Sequence, residues 1–359
     1  MYLYNVKKTS AFYMRIANLS SFHKKHFDRL CMPLTVYSLF LYIMSCTEDE
    51  LDKTFFLFVG AIPSSINSKF KNSYAFQEYD KSGLMSFKIF RELIYWRYVK
   101  WLAIPNINRL KIYAQDHVKF CQYIIGKREY TLLEDAPHSN MYFEGCKLER
   151  NDANRRTMKN YNLAKLFYGP VYGHSCGKNP QCTDLLMWKY DDTEFIRSKK
   201  CHIVDLHNEW KTCTEDKRKL ICYFLDIDDT DLSELKKYPI ILLTQPLYRP
   251  YSRICHAIIF YSIAHKYPKD QIIIKTHPRD KFNYERILPE YKLFKKPIPL
   301  QLLSFMGVTF GKAVTVFSSA VLDFGYPIEI DWYGRGCGAL LPDNCLTFPT
   351  PPGATFCEL

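Results

Sequence analysis

The sequence predicts an α/β protein of two lobes, each a mostly parallel sheet covered by helices, with a cleft between them. Short apolar runs of strand length alternate with longer runs of helical spacing along most of the chain. Gly and Pro punctuate that alternation. A chain of 359 residues is also too long for one ordinary core and suits two domains of middling size. The lobes are placed at residues 1–234 and 235–359. In such sheets ligands bind outside the carboxyl ends of the strands, so polar residues at strand ends are the first candidates for function.

The elements follow in order. After a polar leader, "CMPLTVYSLFLYIM" sets Pro33 near a helix start and repeats apolar side chains through Leu34, Tyr37, Leu41 and Met44. The first strand is expected at "TFFLFVG", a continuous apolar run ended by Gly60 and Pro63. "SFKIFRELIYWRYVKWLAI" reads as a helix with Phe87, Phe90, Ile94, Val99 and Leu102 on its inner side and Pro105 just beyond it. "LKIYAQD" and "EYTLLED" are strands, the second with an acidic end. Gly and Pro break the "FYGPVYGHSCGKNPQC" segment, "CHIVDL" is a further strand and "EDKRKLICYFLD" an amphipathic helix. The charged stretch "DIDDTDLSELKKYP" is taken as the region linking the lobes, its aspartates as solvated loop and cap residues. The alternation then restarts: strand "IILLTQP", helix "SRICHAIIFYSIAHKY", strand "QIIIKTHP", short helix "LQLLSFM", and "AVTVFSSAVLDFG", a strand running into a helix.

Composition narrows the function classes. Hydrophobic residues make up 47% and aromatics 16%, enough to bury compact cores, and no low-complexity tract suggests disorder. Against 37 Asp and Glu stand 49 Lys and Arg, a formal charge of +12 that favours anionic partners. The basic residues are scattered, with no basic helix, zinc-finger spacing or RNP-like motif, so a nucleic-acid reader is not expected. The thirteen cysteines form no C-x-x-C pair and read as reduced thiols. No signal-peptide core opens the chain, and "CMPLTVYSLFLYIMSC" falls short of the roughly 20 residues that span a bilayer. A cytoplasmic protein is expected, its charge compatible with resting on the inner face of a membrane. P-loop and dinucleotide fingerprints are absent from the sequence.

Three strand ends in the second half carry polar groups: Thr244 with Gln245, His277, and Ser318 with Ser319. Parallel neighbours point the same way, so these ends converge on one rim. Paired hydroxyls at a strand-to-helix turn, beside backbone N–H groups at the helix start, suit a phosphate. The competing account of Ser318 or Ser319 is a simple helix cap. His277, locked by Pro278, has an imidazole able to stabilise or protonate a departing group near neutral pH, where a plain turn residue is the duller account. In the first half, Glu134 and Asp135 end an apolar strand facing the cleft, and a carboxylate there can take a proton from an attacking hydroxyl. Adjacent acids at a strand end are equally familiar as solvated loop residues. No metal is assigned.

The acidic pair of "LLEDAP", the "LLTQPL" strand end, the His-Pro of "IIIKTHPRD" and the Ser-Ser of "VTVFSSAV" stand in the order found in bacterial sialyltransferases. From about Cys31 to Phe324 the chain resembles glycosyltransferase family 52, the lipooligosaccharide sialyltransferases. The resemblance implies a GT-B-type fold of two Rossmann-like lobes, the first on the acceptor side and the second on the donor side. It implies a CMP-sialic acid donor, inversion without a required metal or other cofactor, and a galactose-ended surface glycan, lipooligosaccharide or capsule, as acceptor. By the family pattern His277 assists departure of CMP, and Ser318 and Ser319 hold its phosphate; Thr244, Gln245, Lys275 and Pro278 are assigned to the donor site beside them, and if the family's base sits in the loop after Pro246, this chain lacks it there and Glu134 or Asp135 must serve. A homodimer is compatible with this picture. The chain departs from the pattern in three places: Ala136 stands where Gly is usual, the "LYRPYSRICH" loop after Pro246 has no acid, and Thr276 replaces a proline before His-Pro. Two alternatives therefore stay open: a transferase using another nucleotide sugar, and a non-catalytic binder of nucleotide or glycan.

Overall fold

The computed structural model describes residues 26–59, 62–75, 94–137, 177–190, 192–247, 253–322, 324–341 and 350–359. Strands β1 (Arg29–Met32), β2 (Thr54–Phe58), β3 (Ser73–Ala75), β4 (Lys111–Ala114), β5 (Tyr130–Leu133), β6 (Cys182–Met187) and β7 (Lys200–Ile203) form a seven-stranded sheet in the order β3-β2-β1-β4-β5-β6-β7. Strands β8 (Ile240–Leu243), β9 (Ile272–Lys275), β10 (Lys292–Phe294), β11 (Lys312–Thr315), β12 (Glu329–Trp332) and β13 (Thr355–Phe356) form a six-stranded sheet in the order β10-β9-β8-β11-β12-β13. Every neighbouring pair in both sheets is parallel. Both are doubly wound, and the order reverses between β1 and β4 in one and between β8 and β11 in the other. Those reversals open a crevice at the carboxyl ends of the strands.

Burial explains the central strands. All five residues of β2 and all four of β9 are buried, as expected where helices cover both faces. Helix α1 (Val36–Ser45) is buried from Val36 to Met44, so it reads as apolar all round instead of amphipathic. Thr35 caps it in a reciprocal box with Ser38, and at its far end the Lys217 ammonium donates to the carbonyls of Met44 at 3.0 Å and Cys46 at 2.7 Å. Helices α2 (Leu206–Thr212) and α3 (Glu215–Leu225) pack on α1. One apolar cluster runs from Phe40 and Leu133 of the first sheet's lobe to Ile241, Leu302 and Trp332 of the second.

Several local expectations change. Strand β1, the centre of the first sheet, was not anticipated: its Leu30, Cys31 and Met32 run on into the apolar residues of α1, and just Pro33, Leu34 and Thr35 separate the two. Nor were β3, β6, β10, β12 or β13, each short or mixed in pattern. Of the predicted inner face of the "SFKIFRELIYWRYVKWLAI" helix, Phe87 and Phe90 lie outside the described residues. Val99 is fully buried, but Ile94 is 53% and Leu102 56% exposed. Trp96, Val99 and Ala103, at i, i+3 and i+7, form the inward face instead, and Val99–Ala103 is a π-helical turn. The expected link between the lobes is mostly helix α4 (Asp229–Leu235), with Asp228 capping it in a box with Asp231. The run expected to turn from strand into helix after "AVTVF" makes only a 3₁₀ turn, Ser319–Leu322.

Candidate active site

The strand ends converge. A cavity of about 380 Å³ between the lobes is lined on one side by Thr35, Tyr37, Asp135 and Ala136, and on the other by Thr244, Gln245, Lys275, His277, Pro278, Ser318 and Ser319. It opens at the reversal between β8 and β11 of the second sheet, where open α/β sheets form their ligand crevices. Of the predicted site residues, Glu134 alone does not line it.

The second lobe's wall is built from three loops. After β8, the Gln245 side-chain oxygen accepts the Phe317 N–H at 2.9 Å, tying the β8 loop to the β11 loop. After β11, the Thr315 hydroxyl accepts the Ser318 N–H at 3.0 Å. The hydroxyls of Ser318 and Ser319 have no hydrogen-bond partner among the described residues, so neither serves as a helix cap. After β9, residues 277–280 form a tight turn in which the Asp280 N–H donates to the His277 carbonyl at 2.8 Å. The His277 N–H in turn donates to the Thr244 hydroxyl at 3.1 Å. Burial lowers the His277 pKa to about 4, helped by the positive charges of Arg279 and Lys275 and opposed by the negative charge of Asp135. Lys275 is enclosed, its ammonium donating to the Lys296 carbonyl at 2.8 Å over the Phe294 ring, and burial lowers its pKa to about 7.

On the first lobe's wall the two adjacent acids part company. Glu134 is 3% exposed, and one of its oxygens accepts both the Tyr37 hydroxyl at 2.8 Å and the Trp188 N–H at 3.0 Å. Asp135 lines the cavity. Its Oδ1 accepts from the Gln115 amide at 2.7 Å, and the Gln115 oxygen is itself held by the Leu34 N–H at 2.8 Å, which fixes the amide with its NH₂ toward Asp135. The Thr35 hydroxyl donates to the Asp135 carbonyl at 2.9 Å, locking this loop to the start of α1. Ala136 does not need the freedom of glycine: Asn106 and Asp226 are the non-glycine residues with positive φ among the described residues. Part of the acid-free loop after Pro246, residues 248–252, lies outside the described residues.

Sequence reasoning did not single out Thr35, Tyr37, Gln115, Arg279 or Gln301, of which all but Gln115 line the cavity. Thr35 and Tyr37 sit in what reads as a plain apolar helix start, and Gln115 is one polar residue after a strand. Arg279 was visible in "THPRD" but carried no spacing signal. Among the described residues there is no group of three or more His, Cys, Asp or Glu side chains placed to hold a metal ion, and no helix long and apolar enough to cross a membrane.

Comparison with known proteins adds to this geometry. A family model described as glycosyltransferase family 52 matches residues 39–330. An uncharacterized protein of Haemophilus influenzae is 30% identical over 226 residues, which is 62% of this chain and 68% of the relative. The fold is similar to that of a 2,6-sialyltransferase from Photobacterium sp. JT-ISH-224, solved with CMP and lactose, at a TM-score of 0.50 and 12% identity, covering 86% of this chain and 72% of that one. A sialyltransferase from Photobacterium damsela gives a TM-score of 0.46 at 14% identity, over 85% of this chain and 74% of the other.

Proposed function

The chain belongs to glycosyltransferase family 52 and has the two-lobed GT-B fold, and on that premise we propose that it is an inverting sialyltransferase carrying sialic acid from CMP-sialic acid to a galactose-ended surface glycan. The observation that carries this reading is the meeting of His277, Ser318 and Ser319 on one wall of a cavity whose opposite wall holds Asp135.

The chemistry asks for two things at once. As the bond from the sugar to the CMP phosphate stretches, positive charge grows on the sugar and negative charge on the phosphate. Fixed donors aimed at that phosphate lower the barrier most when they are already in place and shielded from bulk water. In this reading the Ser318 and Ser319 hydroxyls and His277 are those donors, and Lys275 adds a proton-dependent charge behind them. Asp135, from across the cleft, takes the proton of the acceptor hydroxyl that attacks the opposite face of the sugar, which inverts its configuration. Glu134 holds Tyr37 and the Trp188 backbone and plays no part in proton transfer. The positively charged chain suits an anionic donor.

The test is release of the donor's nucleotide by the purified protein from a panel of nucleotide sugars, CMP-sialic acid among them, with lactose as a galactose-ended acceptor and with a chelator in a parallel arm. Turnover with CMP-sialic acid, unaffected by chelation, is the expected result. Turnover with a different nucleotide sugar alone moves the donor assignment, and tight CMP binding without any turnover points to a binding protein.

A further inference from the structure

A chain of buried polar groups stands behind His277 that donor binding does not require. The His256 ring is enclosed, as is the Asp280 carboxylate: both side chains are 0% exposed. The Tyr284 hydroxyl lies between them, 2.7 Å from His256 Nε2 and 2.6 Å from Asp280 Oδ2. Asp280 Oδ1 accepts the Phe282 N–H at 3.0 Å, and Oδ2 takes a longer contact from the Thr244 hydroxyl at 3.4 Å. The Thr244 oxygen is also the acceptor for the His277 N–H.

Proton counting orders this chain. The Tyr284 hydroxyl donates its one proton to Asp280 Oδ2, so its oxygen must accept from His256, which therefore carries a proton on Nε2. Burial lowers the His256 pKa to about 4, so the ring supplies that N–H as a neutral imidazole. The donors all point toward Asp280, and the turn from His277 to Asp280 is pinned at both ends. Within the turn, His277 Nδ1 accepts the Arg279 N–H at 3.0 Å. A proton on Nδ1 would face that N–H donor to donor. The one ring proton of neutral His277 accordingly sits on Nε2, on the far edge of the ring, where no partner is found among the described residues.

We infer that Asp280 and Tyr284 are positioning residues, which hold the turn so that His277 meets the ligand as a neutral imidazole donating through Nε2–H, and not as an imidazolium that gives up a proton. The groups that face His277 agree with this. Arg279 and Lys275 disfavour a further positive charge, Asp135 across the cleft opposes them, and the net outcome with burial is a pKa of about 4. CMP needs no proton to leave, because a phosphate is a stable anion, so a fixed donor is sufficient. This inference rests on the proposed contact between His277 and the donor phosphate.

The test is nitrogen NMR of the full-length protein labelled with 15N-histidine, the His277 signals being identified by their loss in His277→Gln. From about pH 5.5 to 8, a range that spans the ordinary imidazole midpoint, the expected spectrum keeps Nε2 protonated and Nδ1 bare, without titration. A midpoint near 6.5, or a proton on Nδ1, overturns the inference. Addition of CMP should move the Nε2 resonance. If it does not while the tautomer is as described, the phosphate contact fails and the tautomer stands. Tyr284→Phe should lower kcat about tenfold to a hundredfold, with donor KM within twofold, and introduce titration or the second tautomer at His277. A Tyr284→Phe protein with unchanged kcat and unchanged His277 signals removes Tyr284 from the positioning role. Should that variant not fold, the wild-type titration alone decides the neutral donor.

Discussion

Glu134 and Asp135 are neighbours with opposite surroundings, because successive residues of an extended chain point to opposite sides. Glu134 turns under α1 to Tyr37, and Asp135 turns out to the cavity. Asp135→Asn is expected to cut kcat by about 10²–10⁴-fold, the range of a lost general base, with CMP affinity nearly unchanged in a titration. Glu134→Ala removes the acceptor shared by the Tyr37 hydroxyl and the Trp188 N–H, and should cost about 1–3 kcal/mol of stability in a denaturant series. His277→Ala is expected to lower kcat by about 10²–10³-fold, as for loss of one fixed donor, with CMP binding mostly retained. Lys275 gives a separate signature. With a free-state pKa of about 7, it must take up a proton to meet a phosphate as a cation. Donor affinity should therefore be full below that pH and weaken as pH rises above it, seen as a rise in KM and not a fall in kcat. A KM flat across that window removes Lys275 from phosphate binding.

Elements set where these residues stand. The loop carrying Asp135 and Ala136 is held by the N-cap of α1 and by Gln115 after β4, so its geometry is stored in hydrogen bonds and not in an unusual backbone. Ala136→Gly should then bring no gain in turnover. It should lower stability by about 0.4–1 kcal/mol, since glycine adds freedom to the unfolded chain where the native backbone does not need it. A rise in kcat would show that the alanine does restrain the loop. Helix α5 (Leu300–Phe305) connects the cavity to the seam between lobes: Leu300 and Gln301 line the cavity, and Phe305 packs against Trp188, His207 and Trp210 of the first lobe. The short 3₁₀ turn after β11 leaves two serine hydroxyls free for a ligand, where a longer capped helix would have engaged one of them.

At the scale of the whole molecule, the buried cations and rings make stability depend on pH with a definite sign. His256 and His277 have folded pKa values lowered from 6.5 to about 4 by burial, so the unfolded chain binds more protons between those limits. Their contribution is present above 6.5 and is lost as pH falls toward 4. Lys275 has the same sign in a higher window, between 10.5 and about 7. The melting temperature should fall as the solution is acidified through the histidine window, and less steeply in His277→Gln; a melting temperature constant there contradicts the burial. The order of elements was legible because it rests on local pattern. "TFFLFVG", "IILLTQP" and "QIIIKTHP" are continuous apolar runs that only a strand covered on both faces accommodates, and the polar residues ending the latter two do meet in one cavity. The inner face of the helix before β4 holds Trp96 and Ala103 where Ile94 and Leu102 were expected, because apolar residues stand on both sides of that helix, and β1 was missed because its apolar run merges with that of α1. Polar pairs far apart in sequence left no periodic trace. By itself the sequence determined the alternation of strand and helix, and with it which strand ends carry polar groups, since hydrophobic period and turn chemistry act over a few residues. Only the tertiary structure decided that Asp135 and not Glu134 reaches the cleft, that Ala136 is unstrained, and that Tyr284 and His256 stand behind His277. Those outcomes depend on which buried donors meet which acceptors across the folded chain, and no local pattern encodes that.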